Sequence, residues 1–361
     1  MRRSLSWPQF RCFVGGEELH PDSYTATSST RRGQSLSMAR MGRLGTLMQS
    51  GCTIVLDSLD TFDPTLEVAC QALQWWSHEL VQVNTYLTTN DAAGFDLHWD
   101  DHDVIVVQLG GEKGWEVRGP SRPAPMYRDH ERNDTPSDEI VWSGTLCAGD
   151  VMHIPRGHWH QATRVARGDG HSLHATFGFV KRTGVDWLTW VVDQTRRHEM
   201  FRRDIDRWGT HPHVSATTHQ LKDRLDTLIE ELPQSRFLSA REAERPARRH
   251  VATAGILGPP ERLVCVTEFP PQIDTSGDNV VVTAAGKELT FVPEAEPALR
   301  KLLSGEPASV SNLNRDTEAD AEAIVGALLD EGICAELTPE LTAGYTGLVP
   351  NVEDGGTVGD A

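Results

Sequence analysis

The stretch FDLHWDDHDVIVVQL, Phe95 to Leu109, sets two histidines and four aspartates against the start of an apolar, β-branched run. Ionisable groups at that density are costly to bury unpaired. A strand that begins with them must either leave them in water or give them something to bind. His98 and Asp100 are two residues apart, so on an extended segment their side chains share one face and can converge. A third group comes from the block GDVMHIPRGHWHQA, in which Gly149-Asp150 makes a tight turn ahead of a strand and Pro155-Arg156-Gly157 bends the chain. His160, 62 residues beyond His98, can then return to the same barrel mouth.

Two neutral imidazoles and one carboxylate fill one face of an octahedron and leave three positions open, the ligand set of non-haem Fe(II) oxygenases. In a chain with 15 histidines an isolated HxD pair is weak evidence. The block with Gly149, Pro155, Gly157 and His160 at those spacings is far more specific. Asp101, His102 and Asp103 compete as ligands, but Asp101 and Asp103 point to the face opposite His98 and read as solvated strand-entry residues or as partners of the ligands. His153 and His158 lie too close to His160 in sequence to serve separately. Ser143 and Ser172 sit in no GxSxG elbow, so a serine triad has little support.

Around this constellation the chain reads as many short strands: Val81 to Thr88, Val104 to Leu109, Trp115 to Arg118, Val151 to Ile154 and Ser172 to Phe179, bounded by Gly, Pro and Asp. No regular helix intervenes, which favours an antiparallel barrel or jelly roll over a parallel sheet. A helix is expected over Asp63 to His78, with Asp63 as cap, Pro64 in the first turn, and Leu66, Ala69, Leu73 and Trp76 on one face. Ser23 to Ser37 reads as a polar loop. Beyond Gly184, DWLTWVVDQTRRHEMFRRDIDRW and SATTHQLKDRLDTLIEELPQ have helical spacing. Arg241 to Pro260 reads as a linker. Strands at Arg262 to Thr267, Val280 to Thr283 and Glu288 to Val292, helices at Pro293 to Leu303 and Thr317 to Glu331, and a following ICAEL fit a small winged helix.

The longest apolar runs fall far short of the roughly 20 residues of a membrane helix. The N-terminus is interrupted by Pro8, Gln9 and Arg11 before a signal-like run develops, so a cytoplasmic, non-membrane protein is expected. The six cysteines lack CxxC or CxxH spacing, which argues against a zinc ribbon or a disulfide framework. A net charge of -18 disfavours a broad nucleic-acid footprint and is compatible with a basic protein partner.

The motifs VQVNTYLTT, LHWDDHDVIVVQLGGEKGW, GDVMHIPRGHWHQA and HSLHATFGF resemble the ribosomal-oxygenase (cupin-4) branch of the JmjC family of Fe(II)- and 2-oxoglutarate-dependent protein hydroxylases. The resemblance is specific from about Val81 to Phe179 and looser to about residue 338. It implies that His98, Asp100 and His160 bind Fe(II) as the catalytic and metal residues. It also implies that Lys113, two before Trp115, pairs with the far carboxylate of the cosubstrate 2-oxoglutarate. Without the resemblance, Lys113 in GGEKG would read as a hairpin-turn lysine. Asn84 and Tyr86 alternate with Thr88 on one strand face and are candidate cosubstrate or peptide donors, with ordinary strand polarity as the other reading. His174 and Thr176 share a face, and the family has a histidine near the cosubstrate there; a satisfied core histidine is the other reading.

The fold class expected is a mainly β double-stranded β-helix (cupin, jelly-roll) catalytic core with added helices at 1–183. A helical dimerisation region at 184–255, a winged helix at 256–340 and a disordered tail at 341–361 follow. The activity implied is hydroxylation of a side chain in a protein or peptide, a basic ribosomal protein foremost, with O2 consumed and 2-oxoglutarate decarboxylated to succinate. The chain is expected to be a homodimer without direct nucleic-acid binding, since acidic residues crowd the winged-helix helices. The alternatives are a non-redox cupin metal-binding scaffold or regulator, the same oxygenase chemistry on a natural-product peptide or small molecule, and lysine demethylation.

Overall fold

The computed structural model describes residues 9–29, 33, 35–89, 95–128, 131–163, 170–180, 182–245, 256, 260–316 and 318–337. The chain divides between residues 181 and 182 into two compact units. The expected tail at 341–361, and most of the expected linker, lie outside the described residues.

The first unit runs β1 (Phe10–Val14), β2 (Glu17–Glu18), β3 (Thr25–Ser29), β4 (Ser35–Ala39), α1 (Met41–Ser50), β5 (Thr53–Leu56), α2 (Pro64–Ser77), β6 (Leu80–Thr89), β7 (Asp103–Pro120), β8 (Ile140–Cys147), β9 (Val151–Ile154), β10 (His158–Thr163) and β11 (His171–Val180). Nine strands form one antiparallel sheet in the order β10-β7-β11-β6-β5-β1-β2, with β8 and β9 also paired to β7. Its fold is a jelly roll organised around β7. The first half of β7 pairs with β9 and β11, and the second half with β8 and β10.

Two sequence expectations change here. Val104 to Leu109 and Trp115 to Arg118 are one strand, because Gly110-Gly111 does not turn the chain back. Gly111, at φ +62°, lets the backbone bend past β11 so closely that a Cβ would meet the His171 carbonyl oxygen at 2.0 Å. Lys113 is therefore a strand residue, only 3% exposed, rather than a hairpin-turn lysine. The polar stretch Ser23 to Ser37 contains a hairpin, β3 with β4, in register from Thr25↔Ala39 to Ser29↔Ser35. Backbone pairing overrides the polar composition there.

Helix α2 begins as expected, with Asp63 Oδ1 accepting from Thr65 N and Leu66 N. Val68, Cys70 and Gln74 are its buried residues, Leu66, Ala69 and Leu73 pack against the Val81, Val83 and Phe177 cluster, and Trp76 is 73% exposed. One core layer (Val104, Val106, Trp115, Val117, Leu146, Ile154) lies between the two halves of β7 and their partners.

The second unit opens with α3 (Gly184–Thr195), α4 (Glu199–Arg202), α5 (His211–Glu231) and α6 (Gln234–Ala243). A capping box between Thr183 and Asp186 starts α3, and Trp190, Val191, Leu228, Leu232 and Phe237 form the core of this helical part. Helix α6 occupies residues just before and inside the start of the expected linker. Next come β12 (Arg262–Cys265), β13 (Gln272–Asp274), β14 (Val280–Ala284), β15 (Lys287–Phe291), α7 (Glu296–Leu302), β16 (Ala308–Ser309), α8 (Val310–Asp316), α9 (Ala321–Asp330) and β17 (Cys334–Glu336). Strands β16-β12-β17 and β13-β14-β15 form two small antiparallel sheets. Helix α8 and strand β16 were not read from sequence, being too short for periodicity to register. Among the described residues no helix is long and apolar enough to cross a membrane.

Candidate metal centre

His98 and His160 are joined by a two-way backbone bridge. His98 N donates to His160 O at 3.1 Å and His160 N donates to His98 O at 2.7 Å. The bridge exists because β10 returns along the second half of β7, bringing the residue after the PRG bend back to the HxD segment. Their rings lie 4.3 Å apart between centroids. One ligand atom each from His98, Asp100 and His160 falls within 4.8 Å of the others.

The imidazoles are oriented through their Nδ1 atoms. His98 Nδ1 lies 2.7 Å from Asp96 O and His160 Nδ1 lies 3.1 Å from His158 O. A carbonyl can only accept, so each Nδ1 carries the proton and each Nε2 presents a lone pair inward. His160 Nε2 stands 3.5 Å from Asp100 Oδ2. Burial, and next the neighbouring His98, push the His160 imidazolium pKa down to about 4 despite the opposing pull of Asp100. His160 is therefore neutral at pH 7, the state a metal ligand needs.

These three residues open into a cavity that is also lined by Tyr86, Lys113, His174 and Thr176. Lys113 Nζ donates to Thr88 Oγ1 at 3.3 Å, and Thr88 Oγ1 is 3.1 Å from Thr53 Oγ1. Loss of hydration alone lowers the Lys113 pKa to about 8. An ammonium buried beside a hydroxyl, with no carboxylate in reach among the described residues, is arranged for an anion from outside the chain. His174 stacks on Tyr86 at 4.8 Å and meets Trp115 edge-on at 5.3 Å. Burial, then Lys113, hold the His174 pKa down to about 3.

Asn84 departs from expectation. It is not among the residues lining the cavity, and its Oδ1 accepts from Ser58 N at 2.9 Å, fixing the loop after β5. Asp103, expected to be solvated or a partner of the ligands, is buried and accepts from Arg156 N at 3.3 Å, with His153 Nε2 at 3.2 Å. It thereby steadies the PRG bend. Sequence reasoning placed Thr88 on the strand face of Asn84 and Tyr86 without giving it a binding role, and did not name Thr53 or Trp115 as site residues. The alternation of Thr88 with Tyr86, and of Trp115 with Lys113, held the signal for two of them; nothing local marked Thr53.

A jelly roll with His, Asp and His converging at its mouth could hold a metal ion, and residues 61–186 match the JmjC domain. The chain's JmjC segment is 36% identical over 129 residues to the bifunctional lysine-specific demethylase and histidyl-hydroxylase NO66 of Drosophila willistoni, covering 35% of this chain and 17% of that one. It is 35% identical over 137 residues to ribosomal oxygenase 1 of Gallus gallus, covering 37% and 22%. The matched region thus spans about a fifth of these relatives. The Escherichia coli ribosomal oxygenase YcfD has a similar fold, with a TM-score of 0.51 at 16% identity, covering 92% of this chain and 98% of that one. A further YcfD structure, in complex with cobalt and 2-oxoglutarate, is equally similar, with a TM-score of 0.51 at 16% identity over 91% and 86%.

Proposed function

We propose that this protein is an Fe(II)- and 2-oxoglutarate-dependent oxygenase that hydroxylates a side chain of a protein or peptide, with a ribosomal protein the first candidate. The observation that carries the reading is the presence, in one cavity, of three convergent ligand atoms and one buried ammonium that has no counter-charge among the described residues. His98, Asp100 and His160 would hold the iron. Lys113, with Thr88 behind it, would bind the distal carboxylate of 2-oxoglutarate, and Tyr86, His174 and Thr176 would form the cosubstrate wall. Two buried groups support the fit: Trp115 Nε1 and His174 Nδ1, on residues that line this cavity, have no hydrogen-bond partner among the described residues, as expected where a polar ligand completes the set.

The bound metal and cosubstrate supply the oxidising chemistry, with O2 consumed and succinate and CO2 released. The chain's part is positional. The Nδ1 contacts fix the imidazole tautomers, Lys113 neutralises an anion in a dry pocket, and the apolar β7 face (Val104, Val106) limits water. A non-redox scaffold gives no reason for Lys113 to be buried without a counter-charge among the described residues. YcfD is described with cobalt and 2-oxoglutarate, which supports the same pairing of ligands here.

The names of the relatives couple hydroxylation with lysine demethylation, so products decide between them. Incubation with Fe(II), 2-oxoglutarate and a ribosomal extract should give succinate and a mass gain of one oxygen on a protein; formaldehyde release would indicate demethylation instead. Turnover by His98→Ala equal to wild type would remove the proposal. Oxidation of only a natural-product peptide or small molecule would keep the chemistry and change the substrate class.

We also assign 1–183 as the catalytic domain, 184–255 to dimerisation and 256–340 to a winged helix that is structural or protein-binding. Exposed Val185, Leu188 and Val192 at helical spacing on α3 support the dimer. Three helices around the β16-β12-β17 sheet support the winged helix. Acidic Glu294, Glu296, Asp320 and Glu322 in it argue against phosphate contact. A cytoplasmic location is consistent with this substrate class.

A further inference from the structure

The segment between β7 and β8 sits against both ligand-bearing turns. On the HxD side, Trp99 Nε1 donates to Asn133 O at 2.9 Å, and the Trp99 ring lies 5.1 Å from that of Tyr127. The Tyr127 hydroxyl donates to Asp100 Oδ1 at 2.9 Å. On the His160 side, Arg156 Nε donates to Pro125 O at 2.9 Å and its terminal nitrogen to Ala124 O at 2.9 Å. Gly157, at φ +80°, lies so close to Pro125 that a Cβ would be 2.6 Å from Pro125 Cδ, and Gly157 N donates to Asp100 O at 2.9 Å. The whole arrangement ends on Trp159 Nε1, which donates to Ser121 Oγ at 2.5 Å.

We propose that Tyr127 is a positioning residue of the metal centre, occupying Asp100 Oδ1 so that the carboxylate binds metal through Oδ2 alone. The inference rests on the metal-binding reading above. A carboxylate can ligate through one oxygen or two, and the second mode takes an additional coordination position. The three protein ligands leave three positions, and a chelating 2-oxo acid with a gas molecule needs all of them. A donor held on Oδ1 lowers the basicity of that oxygen and leaves Oδ2 the better ligand atom. Oδ2 is the oxygen 3.5 Å from His160 Nε2, already on the ligand side. The segment's attachment to Arg156 and Gly157 gives the hydroxyl a fixed origin, because the same backbone that carries Tyr127 is bonded to the turn preceding His160. Neither the HxD motif nor the glycine-proline block contains this residue.

The test is Co(II) binding by titration calorimetry and visible absorption, on wild type, Tyr127→Phe and His98→Ala of the full chain. Tyr127→Phe keeps the ring on Trp99 and deletes only the hydroxyl. Expected are a Co(II) dissociation constant raised roughly tenfold or more, a changed d–d absorption spectrum, and an unchanged melting temperature of the metal-free protein. A spectrum superimposable on wild type with an affinity within about twofold would overturn the proposal. So would weaker binding that merely accompanies a lower metal-free melting temperature, which would make Tyr127 a fastening of the segment. His98→Ala should lose Co(II) binding. If it binds as wild type does, the metal site itself is misplaced and the inference falls with it; if only Tyr127→Phe is silent, the metal site stands.

Discussion

At the scale of single residues, Lys113 explains itself only through a ligand. The residue is 3% exposed, its ammonium donates to one hydroxyl, and burial brings its pKa down to about 8. Binding a dianionic 2-oxo acid requires the protonated form. Affinity for 2-oxoglutarate should therefore hold below pH 8 and fall above it, by up to about tenfold per pH unit. Calorimetric titration of the Co(II) protein at pH 7 and 9.5 checks this. Lys113→Ala should abolish the binding while leaving Co(II) affinity intact. Lys113→Arg, charged at every working pH, should keep binding and lose the alkaline decline. The imidazoles of His98 and His160 follow a different logic: each is held by a carbonyl at Nδ1, and proximity in space rather than in sequence makes them a pair.

At the scale of elements, β7 places the site. Its first half contributes Val104 and Val106 and its second half Lys113 and Trp115, all to one cavity, and the bend at Gly110-Gly111 makes that possible. Gly111→Ala combines a left-handed backbone with a Cβ 2.0 Å from a carbonyl oxygen. It should destabilise the protein by about 2–4 kcal/mol in urea unfolding. The cap on α2 is a smaller matter: Asp63→Ala should cost about 1 kcal/mol by the same measurement and leave Co(II) affinity unchanged. The strands at β6, β9 and β11 were legible because β-branched runs bounded by Gly, Pro and Asp have few other readings. The β3 and β4 hairpin was not, since Ser and Thr serve turns and strand edges alike. Two short strands in place of β7 was an error of the same kind: glycine pairs punctuate most sequences, and here the neighbouring strand, not the local chain, determined that the backbone continues.

At the scale of the whole molecule, stability should depend on pH through buried imidazoles. The His174 pKa is about 3 in the folded state against an ordinary value near 6.5. Between those values the unfolded chain binds the proton and the folded one does not. Stability therefore rises with pH across that window and is lost as pH falls below about 6.5, by at most roughly 1.4 kcal/mol per pH unit for this group. Metal-free unfolding at pH 5 and 7 should display the slope, and His174→Phe should reduce it by one proton's worth. A slope unaltered in that variant would assign the dependence elsewhere. Metal acts in the opposite sense: Co(II) at 100 times its dissociation constant should add about 2.7 kcal/mol, and none of that gain should remain in His98→Ala.

From the sequence alone came the chemistry at hand: which residues can ligate, and that a β-barrel with helices after it must bring them together; His160 does fall on a strand, whereas His98 and Asp100 lie just ahead of β7, which starts at Asp103. Periodicity, turn residues and motif spacing are properties of the local chain, so they survive without coordinates. Tertiary structure decided what depends on distant backbone. It set Asn84 to bonding Ser58 instead of lining the cavity, buried Lys113 in a continuous strand, brought Thr53 behind Thr88, and hung Tyr127 on Asp100. Each is a contact between groups whose separation along the chain carries no information, and only the sheet register makes them neighbours.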